Sequence, residues 1–347
     1  MELNLNEKNK RILVTGAAGF IGAELVKKLL DNELNVLGID NINSYYDTKL
    51  KFSRLKRLDK NCIDKKKWKF IQGNIDDENF LNNIFFNFKP HIVVNLAAQA
   101  GVRYSLENPN AYIKSNLVGF GNILENCRKS KVEHLVYASS SSVYGGNYNL
   151  PFDENQSVNH PVSFYAATKK SNELMAHSYS HLYGIPCTGL RFFTVYGPWG
   201  RPDMAPMIFA KSMLERKPIK VFNYGKMKRD FTYIDDIVEG LFRCCFKSAK
   251  ADSNFNRFIP KASRSFAPHM IFNIGNSQPI ELLNFIEKME QAFGINAIKE
   301  FEPIQDGDVI ATAADTQLLK NWVGFQPSTP LVKGLKSFAS WYLKYYR

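Results

Sequence analysis

A short apolar run that breaks on a glycine turn and resumes at once as an amphipathic helix constrains this chain more than any other feature. Arg11-Ile-Leu-Val-Thr15 has the look of a strand, Gly16 ends it, and from Phe20 apolar residues return at helical spacing through Ile21, Leu25, Leu29 and Leu30. Between them stands Thr15-Gly16-Ala17-Ala18-Gly19-Phe20-Ile21-Gly22. Gly16 permits a tight turn, Gly19 lets the backbone approach an anion, and Gly22 lets the helix lie close on the strand. The helix N-terminus adds unpaired N–H groups and a positive dipole end. A second strand over 35–39 leads into Asp40, 18 residues after Gly22. A carboxylate there can accept a ribose 2′-hydroxyl and repels a 2′-phosphate, so the combination predicts a dinucleotide site for NAD rather than NADP.

The alternation continues. Strand-like runs at 69–72, 91–96, 134–139 and 187–193 are separated by helical stretches at 48–59, 77–88, 111–130 and 165–183. Near-continuous apolar strands alternating with helices predict an α/β fold: a Rossmann-type doubly wound parallel sheet, with ligands beyond the strands' carboxyl ends. After Phe193 the pattern decays. Pro198, Gly200, Pro202 and Pro206 punctuate a loop, the stretch 251–268 has no periodicity, and helices are expected at 281–293 and 330–345. We expect an NAD-binding domain over 9–193, with late sheet and helix elements from 228–250, and a smaller interleaved α/β substrate-binding domain from 194–227 and 251–347.

A chain of 347 residues buries enough surface to need no staple. Its five cysteines, Cys62, Cys127, Cys187, Cys244 and Cys245, have neither CxxC nor zinc spacing, which predicts reduced thiols and no metal. The polar opening and the lack of a long apolar run read as cytoplasmic, with no membrane partner. The net charge of +12 is concentrated between Lys49 and Lys69, and is read as a solvated helix and loop.

Tyr165 and Lys169 are four residues apart and so share a helix face. A tyrosine near pKa 10 is a poor base; lowering it by about three units takes about 4 kcal/mol, which a neighbouring ammonium and a nicotinamide cation can supply. The run Ser139-Ser140-Ser141-Ser142-Val143-Tyr144-Gly145 follows a strand and sets hydroxyls at the ligand end of the sheet.

The GxxGxxG turn with Tyr165-Ala-Ala-Thr-Lys169 resembles the extended short-chain dehydrogenase/reductase superfamily, from about Arg11 to Leu343. Within it, the stretches Asn95 to Ser105, Arg191 to Met204 and Arg229 to Asp236 look like the UDP-glucuronate 4-epimerases. The resemblance implies a catalytic triad of Ser140, Tyr165 and Lys169. It implies cofactor contacts from Gly16, Gly19, Phe20, Ile21, Gly22, Asp40, Asn41, Asn74, Ile75, Leu96, Ala97, Ala98 and Asn116, besides Tyr165 and Lys169; Asn116 belongs to a structural N-x-x-G element. It assigns substrate contacts to Ser140, Ser141, Ser142, Tyr165 and Thr194, the diphosphate to Arg229, uridine ribose to Asp308, and further contacts to Arg103 and Arg201. Two positions depart from the pattern: Asn74 replaces the aspartate that usually meets the adenine amino group, and Asp306 stands where proline is common.

The implied reaction is C4 epimerisation of a UDP-sugar: hydride leaves C4, a 4-keto sugar turns, and hydride returns to the other face. Related dehydratases carry acidic residues matching Ser141 and Ser142, and uronate decarboxylases a glutamate matching Ser142; only hydroxyls stand here. A 4-keto uronate is a β-keto acid prone to lose CO₂, so an epimerase must hold the carboxylate out of alignment with the carbonyl. The alternatives are a 4-epimerase of a neutral UDP-hexose, a UDP-glucuronate decarboxylase and, from the charge alone, a nucleic-acid-binding relative, against which the intact triad argues. The resemblance also implies a homodimer built on the helices near 111–128 and 165–183.

Overall fold

The computed structural model describes residues 3–305 and 308–347. Its strands are β1 (Arg11–Thr15), β2 (Asn35–Asp40), β3 (Trp68–Gln72), β4 (Ile92–Asn95), β5 (His134–Ser140), β6 (Cys187–Phe192), β7 (Thr194–Tyr196), β8 (Ile219–Phe222), β9 (Lys228–Tyr233), β10 (His269–Ile274), β11 (Pro279–Glu281) and β12 (Lys299–Glu302). Seven form one parallel sheet in the order β10-β6-β5-β4-β1-β2-β3. The chain winds from β1 through β2 and β3 one way and through β4, β5 and β6 the other. The direction reverses between β1 and β4, which places a ligand crevice beyond their carboxyl ends.

Strand β1 shows why this sequence makes a central strand. Ile12, Leu13 and Val14 are all fully buried, but Ile12 and Val14 enter one core and Leu13 the other. Alternate side chains leave opposite faces of a sheet that is covered on both sides. Helices Phe20–Asp31 and Ile234–Cys245 pack together on the first face through Leu25, Leu29 and Leu241. Helices Glu78–Phe88 and Gly119–Lys129 cover the second through Leu81, Phe85, Ile123 and Leu124. The smaller part holds the sheet β11-β9-β7, the pair β12-β8, and the packed helices Leu282–Phe293 and Leu331–Tyr346.

The structure departs from the sequence expectations in three places. The seventh strand, β10, falls within the range assigned to the substrate domain, while β9, expected in the main sheet, pairs with β7 and β11. The helix expected over 111–130 is interrupted by a π-helical turn, Ile113–Val118. The basic segment is not all solvated: Lys51 is 5% exposed and Arg54 is fully buried on the inner face of helix Thr48–Asn61. Arg54 donates to the carbonyls of Ala18 (2.9 Å), Trp199 (2.6 Å) and Gly200 (3.2 Å) and to the Tyr46 hydroxyl (2.8 Å). The stretch between Phe246 and Pro268 forms neither helix nor strand. All five cysteines are buried and free. Among the described residues, no helix is long and apolar enough to cross a membrane.

Candidate active site

A cavity of about 1130 Å³ opens over the carboxyl ends of the central strands, and every site residue singled out from the sequence lines it except Asn116. Its cofactor end is the glycine turn. Gly16 has φ +69°, and a Cβ there would lie 2.8 Å from the Ala97 nitrogen; a Cβ on Gly22 would lie 2.1 Å from the Gly16 carbonyl. Gly19 caps helix Phe20–Asp31 without a side chain, which leaves the first-turn N–H groups for an anion. Beside the turn, Asp40 accepts from the Ala18 N–H (3.2 Å) and the Ile42 N–H (2.8 Å). A carboxylate has about four acceptor sites, so two N–H bonds leave room for ribose hydroxyls. The open helix end and, beside it, the half-satisfied carboxylate in one crevice fit NAD.

Two features of this end were not visible in the sequence. Lys51 Nζ stands 3.8 Å from Asp40 and donates to the Asn43 carbonyl (3.0 Å) and side chain (2.8 Å). Burial lowers its pKa, with Asp40 opposing. Asn74 Oδ1, the acceptor expected to serve in place of the missing aspartate, already accepts from Asn41 at 2.8 Å. Asn116, expected among the cofactor contacts, is buried in the π-helical turn instead. It is bound to both backbone groups of Gln99 (2.9 and 3.0 Å) and to Thr168 (3.0 Å), so it holds the backbone beside the site and does not reach into it.

At the reacting centre, Ser140 closes β5. Its Oγ accepts from the Ser142 N–H at 3.2 Å and donates to the Ser142 hydroxyl at 3.1 Å. The strand end is fixed from behind by a buried ion pair. Ser139 donates to Glu173 (2.7 Å), and Glu173 receives Arg191 through Nε (2.8 Å) and Nη2 (3.0 Å). Burial works against the Glu173 carboxylate, but the Arg191 charge and its hydrogen bonds hold it below the usual range. Arg191 also lies 4.8 Å from the centre of the Tyr144 ring.

Tyr165 and Lys169 share the inner face of helix Phe164–Tyr183, whose N-cap Ser163 accepts from the Ala166 N–H at 3.1 Å. Lys169 Nζ donates to the Ala138 carbonyl at 2.8 Å, and burial lowers its pKa to about 8. Several groups bear on Tyr165. Burial raises its pKa, the Ser140 hydroxyl and the Arg201 cation oppose, and Asp203 adds to the rise. Arg201 comes from the loop after β7, and the Lys169 ammonium is hydrogen-bonded to β5. Arg201 is paired with Asp203 through Nε (3.0 Å) and Nη2 (2.6 Å), and Tyr45 donates to Asp203 at 3.2 Å. Ser141, Ser142 and Thr194 line the same cavity.

At the opposite end, Arg103 pairs with Asp308 at 3.2 Å, and Arg229 donates to the Lys228 and Ile310 carbonyls, both at 3.1 Å. Burial lowers the Arg229 pKa, with Asp308 opposing and Arg103 reinforcing. Asp306 lies outside the described residues. Sequence reasoning missed Tyr45, Lys51 and Asp203. The first two follow β2, at the carboxyl end where such sheets bind ligands, and that position was the available signal.

A parallel sheet with a phosphate-binding glycine turn, an Asp40 carboxylate and a Ser–Tyr–Lys group in one crevice defines an NAD-dependent enzyme. The chain belongs to the NAD dependent epimerase/dehydratase family, whose model matches residues 12–275, and NAD is its cofactor. It is 49% identical over 337 residues to Protein CapI of Staphylococcus aureus, covering 97% of this chain and 99% of the relative. It is 44% identical over 341 residues to a probable UDP-glucuronate 4-epimerase of Rhizobium meliloti (97% and 98%). Among solved structures, it is similar to the UDP-glucuronic acid 4-epimerase of Bacillus cereus in complex with UDP-glucuronic acid and NAD. That likeness has a TM-score of 0.85 at 32% identity and covers 97% of this chain and all of the other.

Proposed function

We propose that this chain is a 4-epimerase that interconverts UDP-glucuronate and UDP-galacturonate. The observation that carries this reading is a cavity wall with hydroxyls at Ser140, Ser141, Ser142 and Thr194 and a cation at Arg201, beside Asp203, whose carboxylate that arginine occupies. Such a wall receives an anionic group without offering the carboxylic acid or base that elimination of water needs. The R. meliloti and B. cereus relatives support the choice of a uronate.

NAD, held by the glycine turn and Asp40, would supply a reversible hydride acceptor for C4. The chain's own residues do the rest. Ser140 orients the 4-hydroxyl toward Tyr165, and the Tyr165 oxygen takes and gives back its proton. Lys169 braces the end of β5 through Ala138. Arg229, with Arg103 beside it, meets the diphosphate with fixed positive charge, and Asp308 accepts from the uridine ribose. The same reading includes a homodimer through the helices near 111–128 and 165–183, supported by the exposed Ile113, Val118, Leu174, Leu182 and Tyr183.

The test is proton NMR of UDP-glucuronate incubated with the purified protein, with and without added NAD. A mixture of the two UDP-uronates without released CO₂ is expected, and turnover without added NAD is expected if the cofactor stays bound. UDP-pentose as the main product, or turnover of a neutral UDP-hexose alone, would overturn the reading.

A further inference from the structure

Arg201 and Asp203 lie in one loop, and their pairing is asymmetric. Asp203 occupies the Nε and Nη2 edge of the guanidinium, at 3.0 and 2.6 Å, and Nη2 also approaches the Met204 sulfur at 3.7 Å. Nη1 has no partner among the described residues and belongs to a residue lining the cavity. Asp203 is itself held by Tyr45 at 3.2 Å, and the Tyr45 ring packs on Tyr104 with centroids 4.9 Å apart. Burial opposes the Arg201 charge and Asp203 more than restores it, so the arginine remains a cation at every working pH.

We propose that Asp203, steadied by Tyr45, is a positioning residue: it fixes the Arg201 guanidinium beside Tyr165 with its Nη1 side open to the substrate's acidic group, and tempers the positive charge the catalytic phenol experiences. The inference rests on the 4-epimerase reading above. It assigns a task to two cavity-lining residues that the sequence analysis did not single out. A guanidinium free to swing would let the carboxylate turn into line with the C4 carbonyl. The C5–carboxylate bond then breaks as CO₂ leaves, its electron pair passing through C5 into the carbonyl as an enolate that takes a proton at C5. A guanidinium gripped along one edge presents the other in a fixed plane, which is the use of bidentate pairing.

The charge effect has a sign. The groups that bear on Tyr165 are Ser140 at the end of β5 and Arg201 and Asp203 on the loop, with the Tyr112 ring centroid 6.0 Å away; Lys169, one turn on along the same helix, is hydrogen-bonded to the Ala138 carbonyl. Removing the Asp203 charge leaves Arg201 uncompensated and stabilises the Tyr165 phenolate.

Two variants of the NAD-bound full chain test this, Asp203→Asn and Tyr45→Phe, each with two measurements. One is the titration of Tyr165 by NMR of ring-labelled tyrosine, assigned with Tyr165→Phe; the other is the share of CO₂ and UDP-pentose formed from UDP-glucuronate. Asp203→Asn is expected to move the Tyr165 titration to lower pH and to raise the decarboxylated share several-fold. Tyr45→Phe, which keeps the charges, is expected to raise the decarboxylated share while leaving the titration in place. An unchanged or upward titration in Asp203→Asn, or an unchanged product ratio in Tyr45→Phe, overturns the proposal. The second variant decides the matter if the first does not fold. The titration needs no substrate, so a correct downward shift without any turnover of UDP-glucuronate would mean that the substrate reading failed and the charge coupling stands.

Discussion

Glu154 should make this protein lose stability as pH rises, and Glu154→Gln should remove that loss. The carboxyl is 1% exposed and accepts from the Asn273 N–H at 2.7 Å. Burial pushes its pKa from an ordinary 4.5 up to about 7; two backbone hydrogen bonds oppose, and Asp153 and Asp315 add to the rise. An acid whose pKa is higher in the folded chain binds its proton more tightly there than in the unfolded chain. Its contribution is intact below the unfolded value and is lost as pH climbs through the folded one. Between about pH 5 and about pH 8 the loss integrates to about 2.5 kcal/mol. Glutamine keeps the acceptor for Asn273 and carries no charge, so the variant lacks this slope. For 347 residues the unfolding entropy is roughly 0.7 kcal/mol/K, which converts that energy to about 3 to 4 °C. The assay is calorimetric Tm of both proteins at several pH values, read as the difference between them so that all other titrating groups cancel. The difference should grow by about that amount in favour of the variant from low to high pH. A difference that stays flat refutes the assignment of a raised pKa to Glu154.

Gly22→Ala places a Cβ 2.1 Å from the Gly16 carbonyl, so the phosphate-binding turn must shift; NAD released on denaturing the purified variant should fall to a small fraction of the wild-type amount, and full retention would contradict the role given to the turn. Glu173→Gln strands Arg191 without a counter-charge and should cost about 3 to 5 kcal/mol by denaturant unfolding; a change under about 1 kcal/mol would show that the pair is already solvated. Because Glu173 is held below the usual range, the wild type should lose this contribution as pH falls through the folded pKa. Asp40→Asn should reduce discrimination against NADP by roughly tenfold in direct binding, since Lys51 then faces a 2′-phosphate without the opposing carboxylate; unchanged discrimination would place the ribose elsewhere. Ser142→Ala or Thr194→Ala should release more UDP-pentose than wild type, and an unchanged product ratio would remove both from the carboxylate's surroundings.

Local patterns were legible wherever one residue type has one structural use. The glycine turn, the β1 and β2 strands and the four-residue spacing of Tyr165 and Lys169 stand where the sequence places them, because each depends on contacts within a few residues. What was not legible depends on partners far along the chain. A run of lysines and arginines shows charge but not which charges turn inward, and the partners of Arg54 at Trp199 and Gly200 lie about 145 residues away. Strand β10 joins β6 after a crossover of 76 residues that includes a second sheet, so no alternation points to it. The π-helical turn at Ile113–Val118 has no glycine or proline to announce it; its polar contacts with Gln99 and Thr168 come from other elements. Arg201 was picked from its motif, but its partner Asp203, two residues on, was not, because neighbouring opposite charges are more often independent than paired.

Arg54 fastens three carbonyls from two distant stretches, Ala18 in the cofactor turn and Trp199 and Gly200 at the root of the Arg201 loop, while nine residues earlier Tyr45 grips Asp203 in that same loop. For anyone recombining members of this family, the segment from Tyr45 to Arg54 and the loop from Trp199 to Asp203 are thus a single transplantable part. A chimera that imports a foreign loop alone inherits its chemistry but not its anchor, and both pieces must travel together for a new specificity to arrive seated on the old cofactor platform.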